Sequence, residues 1–172
     1  MSLLVEDGSG VTGAEAYASD AAAAAYWAKR PQSPLAATWT AETDQTKREG
    51  ALREATDYLD AELGQSYPGD PKTTTQGKLC PRAKDCGDAF NGFPAQLVAA
   101  CIELAARALT APLAADTDSN GWVKRVRERV EGVVDTETEY GAAGPMDGQY
   151  GAVFRSLAFW LGGTPGLTWS WA

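Results

Sequence analysis

Histidine is absent from all 172 residues. That removes the commonest general base, the commonest metal ligand and every Ser-His or Cys-His nucleophile pair. Cysteine is scarce: Cys80, Cys86 and Cys101 make an odd count, which suits a reducing compartment better than a disulfide framework. Cys80 and Cys86 lack the second ligand pair that zinc needs, so three reduced thiols, with Cys101 in the core, are the plainer reading. A Cys80–Cys86 disulfide is the minor alternative. No apolar run reaches membrane-spanning length. Met1–Asp7 has no basic start, apolar core or cleavage site, so no secretory leader is expected and folding in a cytosol is. Excess positive charge is also missing. The net charge of -8 repels phosphate backbones and argues against a dedicated DNA binder, though not against a wall past which DNA slides. No Walker loop, dinucleotide fingerprint or His-based metal motif occurs. No cofactor and no catalytic activity are therefore expected.

What is present is enough for one domain with a core: 44% hydrophobic residues against 22% charged. Glu6–Val11 is turn-forming and reads as a surface arm. Ser19 is a good N-cap for an Ala-rich helix through Ala21–Ala28, and Thr12-Gly13-Ala14-Glu15 offers an earlier capping-box start. Pro31–Thr40, with two prolines, reads as a loop carrying Trp39 toward the core. A second helix runs from about Thr43 to Leu63, with Thr43 or Asp44 as cap and Gly64 as its stop. Its apolar stripe is Ala51, Leu52, Ala55, Tyr58, Leu59 and Leu63, while Arg53, Glu54, Asp57 and Asp60 lie on the other face.

Residues 65–93 have little periodicity, and a loop of that length is usually functional or packed against a neighbour. The plain reading tucks Leu79 and Cys80 inward and leaves Arg82 in solvent. A third helix starts at Pro94 and reaches about Thr110. It is apolar over most of its circumference, which makes it the central one, with Glu103 and Arg107 as an i,i+4 pair. Residues 122–140 admit two readings. Val123, Val126, Val130 and Val133 fit helical spacing, whereas Val133–Tyr140 alternates as a strand does; the alternation favours a β-hairpin turning at Glu131-Gly132. Tyr150–Leu161 is an amphipathic helix, and residues 164–172 alternate Leu167, Trp169 and Trp171 against polar residues as an extended C-terminal arm.

The fold class expected is mainly α: a small helical bundle over residues 1–163, with a β-hairpin and extended N- and C-terminal arms. Two interaction signals stand out. Lys124, Arg125, Arg127 and Arg129 concentrate positive charge. They could contact DNA, pair with a neighbouring subunit, or protect a strand edge; intervening Glu128 and Glu131 and the lack of interleaved aromatics favour the last two. Trp169 and Trp171 either anchor a partner or fold back on the bundle.

Three segments resemble one family of phage proteins. They are the Ala51-Leu52-x-x-Ala55-Thr56-x-Tyr58-Leu59-Asp60 helix, the Phe93-Pro94-x-x-Leu97 helix through Leu109, and, more loosely, Gln76-x-x-x-Cys80-Pro81-Arg82, where the family usually has tryptophan at the Cys80 position. The family comprises head–tail connector adaptors, also called head-completion or neck proteins, some of them labelled DnaT-like single-stranded-DNA-binding proteins. The resemblance implies a structural virion protein at the neck between capsid and tail. It would form a homo-oligomeric, dodecameric ring below the portal, extend the channel through which genomic DNA passes without specific binding, and dock the stopper or tail-completion protein. Leu167, Trp169 and Trp171 would then bind the portal, and no membrane is involved. The alternative is a single-stranded-DNA-binding replication accessory.

Overall fold

The computed structural model describes residues 3–83, 92–114, 122–131, 133–141 and 150–161. Helix α1 spans Asp20–Ala28, where Ser19, in extended backbone, accepts the Ala22 N–H with its side chain. The earlier capping-box start is not used. The Glu15 carboxylate that would close it accepts instead from Arg53 (2.9 Å) and the Leu4 N–H, and the backbone before Asp20 stays non-helical. Residues 31–40 correct the loop expectation, because α2 spans Pro34–Ala41. Pro34 stands at the first helical position, where its missing N–H costs nothing and its fixed φ favours the helix. Trp39 is buried as expected.

Helix α3 spans Gln45–Leu63 and is capped by Asp44, whose carboxylate accepts the Thr46 N–H at 2.8 Å. Ala51, Leu52, Ala55, Leu59 and Leu63 are buried along its stripe, whereas Tyr58 is half-buried and stacks on Phe154. Gly64 does follow the helix, but not in the left-handed conformation of a glycine stop. Its φ is -56° and the chain continues into a 3-10 turn, Gly64–Ser66. A Cβ there would lie 2.4 Å from Leu79 Cδ1, the tip of a half-exposed side chain that would have to turn aside.

Helix α4, Ala95–Ala108, begins one residue after Pro94 and packs against α1, α2 and most extensively α3. Leu97, Cys101 and Leu104 are wholly buried and Ile102 nearly so. Each such aliphatic side chain contributes about 1.5–3 kcal/mol relative to exposure, so this helix is the centre of the core. Its polar stripe holds the Glu103–Arg107 pair at 3.8 Å, and Tyr26 donates to Glu103 at 2.7 Å. Burial and this bond raise the Tyr26 hydroxyl to about 12. Helix α5, Gly151–Leu157, buries Val153 and Leu157, and the turn after it buries Leu161. Among the described residues no helix is long and apolar enough to cross a membrane.

Among the described residues, two two-stranded sheets complete the architecture. Strands β1 (Asp70–Pro71) and β2 (Arg82–Ala83) pair antiparallel inside the long loop. Strands β3 (Trp122–Glu131) and β4 (Val133–Gly141) form the expected hairpin, also antiparallel. The chain divides into a helical unit, Met1–Ala114 with Ala152–Ala172, and a second unit, Ala115–Gly151, which contains the hairpin. The protein is mainly α, a small helical bundle with a β-hairpin.

Candidate functional site

The residues of the Ala-Thr-x-Tyr-Leu-Asp helix act as a clamp. Thr56 sits wholly buried on the apolar side of α3, where its hydroxyl donates to the Leu52 carbonyl and accepts the Tyr17 N–H at 3.1 Å. Asp60, one turn on, holds the N-terminal segment and the long loop together. Its Oδ1 accepts the Tyr17 hydroxyl at 2.5 Å and the Tyr67 hydroxyl at 3.3 Å, while Oδ2 accepts the Leu79 N–H at 3.2 Å. The Tyr17 oxygen in turn accepts the Cys80 N–H at 3.0 Å. Burial raises the Asp60 carboxyl above its ordinary value even though its hydrogen bonds pull the other way. Burial also raises the Tyr17 and Tyr67 hydroxyls, with the Asp60 charge adding to the effect. These are two neutral donors on one partly desolvated acceptor, an arrangement suited to holding shape rather than to proton transfer.

The loop is fixed from its other side by Gln76 and Arg82. Gln76 Nε2 donates to the carbonyls of Lys78 (2.7 Å) and Pro81 (3.1 Å), and its Oε1 accepts the Thr73 N–H. Arg82 is not left to solvent. Its guanidinium donates to the carbonyls of Gly69 (2.6 Å) and Leu79 (3.3 Å). The Gln-x-x-x-Cys-Pro-Arg element therefore folds its own loop, with a cis Cys80–Pro81 bond in the middle. Cys80 is wholly buried as expected, but Leu79 is 42% exposed, with its tip over Gly64.

The N-terminal segment is extended yet tied down. The Glu6 N–H donates to the Ala16 carbonyl and the Glu15 N–H to that of Leu4. Glu6 is 2% exposed, and its carboxylate accepts the N–H groups of Gly8, Gly10 and Val11 at 2.8–2.9 Å. This is a concave cradle of backbone donors around an anion, and Gly8 and Gly10 make it with φ of 94° and 87°. The Gly77 N–H donates to Val11, and Lys72 reaches the Gly8 carbonyl, so the segment and the loop brace each other. Sequence reasoning missed Glu6 and placed Asp60 only on the polar face of its helix. A threonine within an apolar stripe, at Thr56, was the one signal that something polar is held there.

The basic cluster lies on β3. Register pairs Arg125 with Glu139, Arg127 with Glu137 and Arg129 with Asp135. Strand alternation puts these six positions on one face of the hairpin, and Val123, Val126, Val130, Val134, Thr136, Thr138 and Tyr140 on the other with Glu128. Lys124 falls at a one-residue register shift between Val123 and Arg125. The arginine positions are thus in register with acidic positions of their own chain. Leu167, Trp169 and Trp171 lie outside the described residues, as do Cys86 and the Gly132 turn.

Cys101 is buried, its thiol raised to about 11 by desolvation, with Thr56 Oγ1 at 3.3 Å. Among the described residues no group of three or more Cys, Asp or Glu could hold a metal ion. No curated protein and no solved structure matches the chain. A family model spanning residues 1–170 does, and the chain accordingly belongs to the family described as "Putative DnaT-like ssDNA binding protein".

Proposed function

We propose that this protein is a structural adaptor of the tailed-phage neck, forming a ring below the portal, extending the DNA channel and docking the stopper or tail. The clamp carries this reading. The polar residues of the shared motifs hold backbone: Thr56 binds the Tyr17 N–H, Asp60 ties the long loop to α3 at Leu79, and Gln76 and Arg82 brace that loop from within. They build a rigid surface rather than a reactive pocket, which is what a docking scaffold needs. The reading includes no enzymatic activity and no cofactor. In it the protein is made in the host cytoplasm and resides in the virion, and Leu167, Trp169 and Trp171 bind the portal. Deleting residues 164–172 should abolish portal binding in a pull-down while leaving the helical circular dichroism unchanged; retained binding would remove the tail from the mechanism.

A second reading, single-stranded-DNA binding in replication, is favoured by the family description itself. Against it stand the net charge of -8 and the acids placed opposite Arg125, Arg127 and Arg129, since affinity for a phosphate backbone grows with the positive charge that displaces counterions. Cryo-electron microscopy of virions from the encoding phage separates the two. A ring of this protein between portal and tail is the expected result. Its absence from virions, together with salt-dependent binding of an oligonucleotide, would establish the replication reading instead.

A further inference from the structure

The clamp gives the hairpin no task, yet the hairpin is the element least able to stand alone. Among the described residues β3 and β4 pair only with each other. A lone two-stranded hairpin is marginal in water, and bare strand edges recruit further strands.

The two strands differ in net charge. β3 is net basic, with Lys124, Arg125, Arg127 and Arg129 against Glu128 and Glu131, while β4 carries Asp135, Glu137 and Glu139 and no basic residue. The register sets the arginine row and the acidic row side by side on one face. Two copies meeting through like edges, β3 to β3 or β4 to β4, would place equal charges opposite each other, which destabilises a strand pair. Meeting through unlike edges places an acidic row beside an arginine row. That contact is head-to-tail. Each copy uses two different edges, so the pairing propagates and closes into a ring when the rotation allows. With all hairpins pointing the same way, β4 of one copy and β3 of the next run antiparallel, continuing the up-and-down order within each hairpin.

We propose that the partner of this hairpin is a second copy of the chain, joined β4 edge to β3 edge, and that the opposite net charge of the two strands selects a cyclic assembly over a two-fold dimer. The inference rests on the ring reading above and names the contact that builds the ring.

Sedimentation velocity on the full chain tests it. The native protein should sediment as an oligomer. Arg125→Glu/Arg127→Glu/Arg129→Glu and, separately, Asp135→Lys/Glu137→Lys/Glu139→Lys should each sediment as monomers with unchanged helical circular dichroism. An equimolar mixture of the two should reassemble, because hairpins with two acidic rows alternating with hairpins with two basic rows restore unlike rows at every joint. A second experiment does not depend on those hairpins folding. Val126→Cys and Thr138→Cys chains, each with Cys86→Ser, are mixed and oxidised; Cys80 and Cys101 are buried. Covalent pairs should join Val126→Cys to Thr138→Cys chains and not form between two Val126→Cys chains. An oligomer that survives both charge reversals, or links between two Val126→Cys chains, overturns the edge assignment and leaves the ring reading standing. A native chain that is monomeric at micromolar concentration overturns both.

Discussion

The loop that follows α3 and the β3–β4 hairpin both lie outside the helices, yet they are held in opposite ways. The loop owes little to its own strands, which are two residues each. Its order comes from α3 and the N-terminal segment, through Asp60 and Tyr17, and from the bonds that Gln76 and Arg82 make within the loop. The hairpin owes its order to a register of nine paired positions and to alternation along each strand. A segment without secondary structure is thus not a segment without structure. Long-range side-chain-to-backbone bonds replace the ladder.

The contrast can be broken most severely at Asp60. Asp60→Ala leaves the Tyr17 hydroxyl and the Leu79 N–H without their acceptor and the Tyr67 hydroxyl with the Leu59 carbonyl alone, and a cost of about 2–4 kcal/mol is expected. Urea denaturation should report it, and proteolysis should cut first within residues 65–83 and not within the hairpin. Gly10→Ala strikes the same region from the N-terminal side. It forces a side chain to φ +87°, with Cβ 2.8 Å from Thr73, so about 1–2 kcal/mol should be lost; full stability would show that the cradle around Glu6 is not required.

A pH titration sharpens the comparison further. The folded Asp60 carboxyl is raised above its ordinary value by burial. Its contribution is therefore fully present below the unfolded value and falls as pH rises through the raised folded one. Protection of the loop amides from hydrogen exchange should decline across that interval, while Asp60→Asn should flatten the dependence. The hairpin should give the smallest response. Arg127→Ala removes one cross-strand charge pair, worth at most about 1 kcal/mol, and should leave exchange in the helical body unchanged.

Much of the bundle is legible in the sequence because its signals are local. Ser19 and Asp44 cap the helices they precede, and the apolar positions of α3 and α4 are those the spacing marks. Pro34 misled for an equally local reason, since a proline that opens a helix looks like one that interrupts it. The clamp was not legible. Asp60 and Glu6 look like ordinary surface acids until the chain brings Tyr17, Tyr67, Leu79 and the glycine amides to them. Such partners are fixed by tertiary structure, and no period in the sequence encodes them. The hairpin was half legible: Val123 and Val126 are three apart, as on a helix, because Lys124 stands between them outside the regular register.

That displaced lysine has a consequence for how this strand tolerates changes in length. Val123 pairs with Tyr140 and Arg125 with Glu139, which are adjacent on the opposite strand. Deleting Lys124 would therefore join two regular stretches without a shift of parity. The valines and Tyr140 would keep their face, and the arginines and acids would keep theirs. A single-codon deletion, which inside most strands would exchange inside for outside, should here leave a straighter ribbon with the same pattern on both faces.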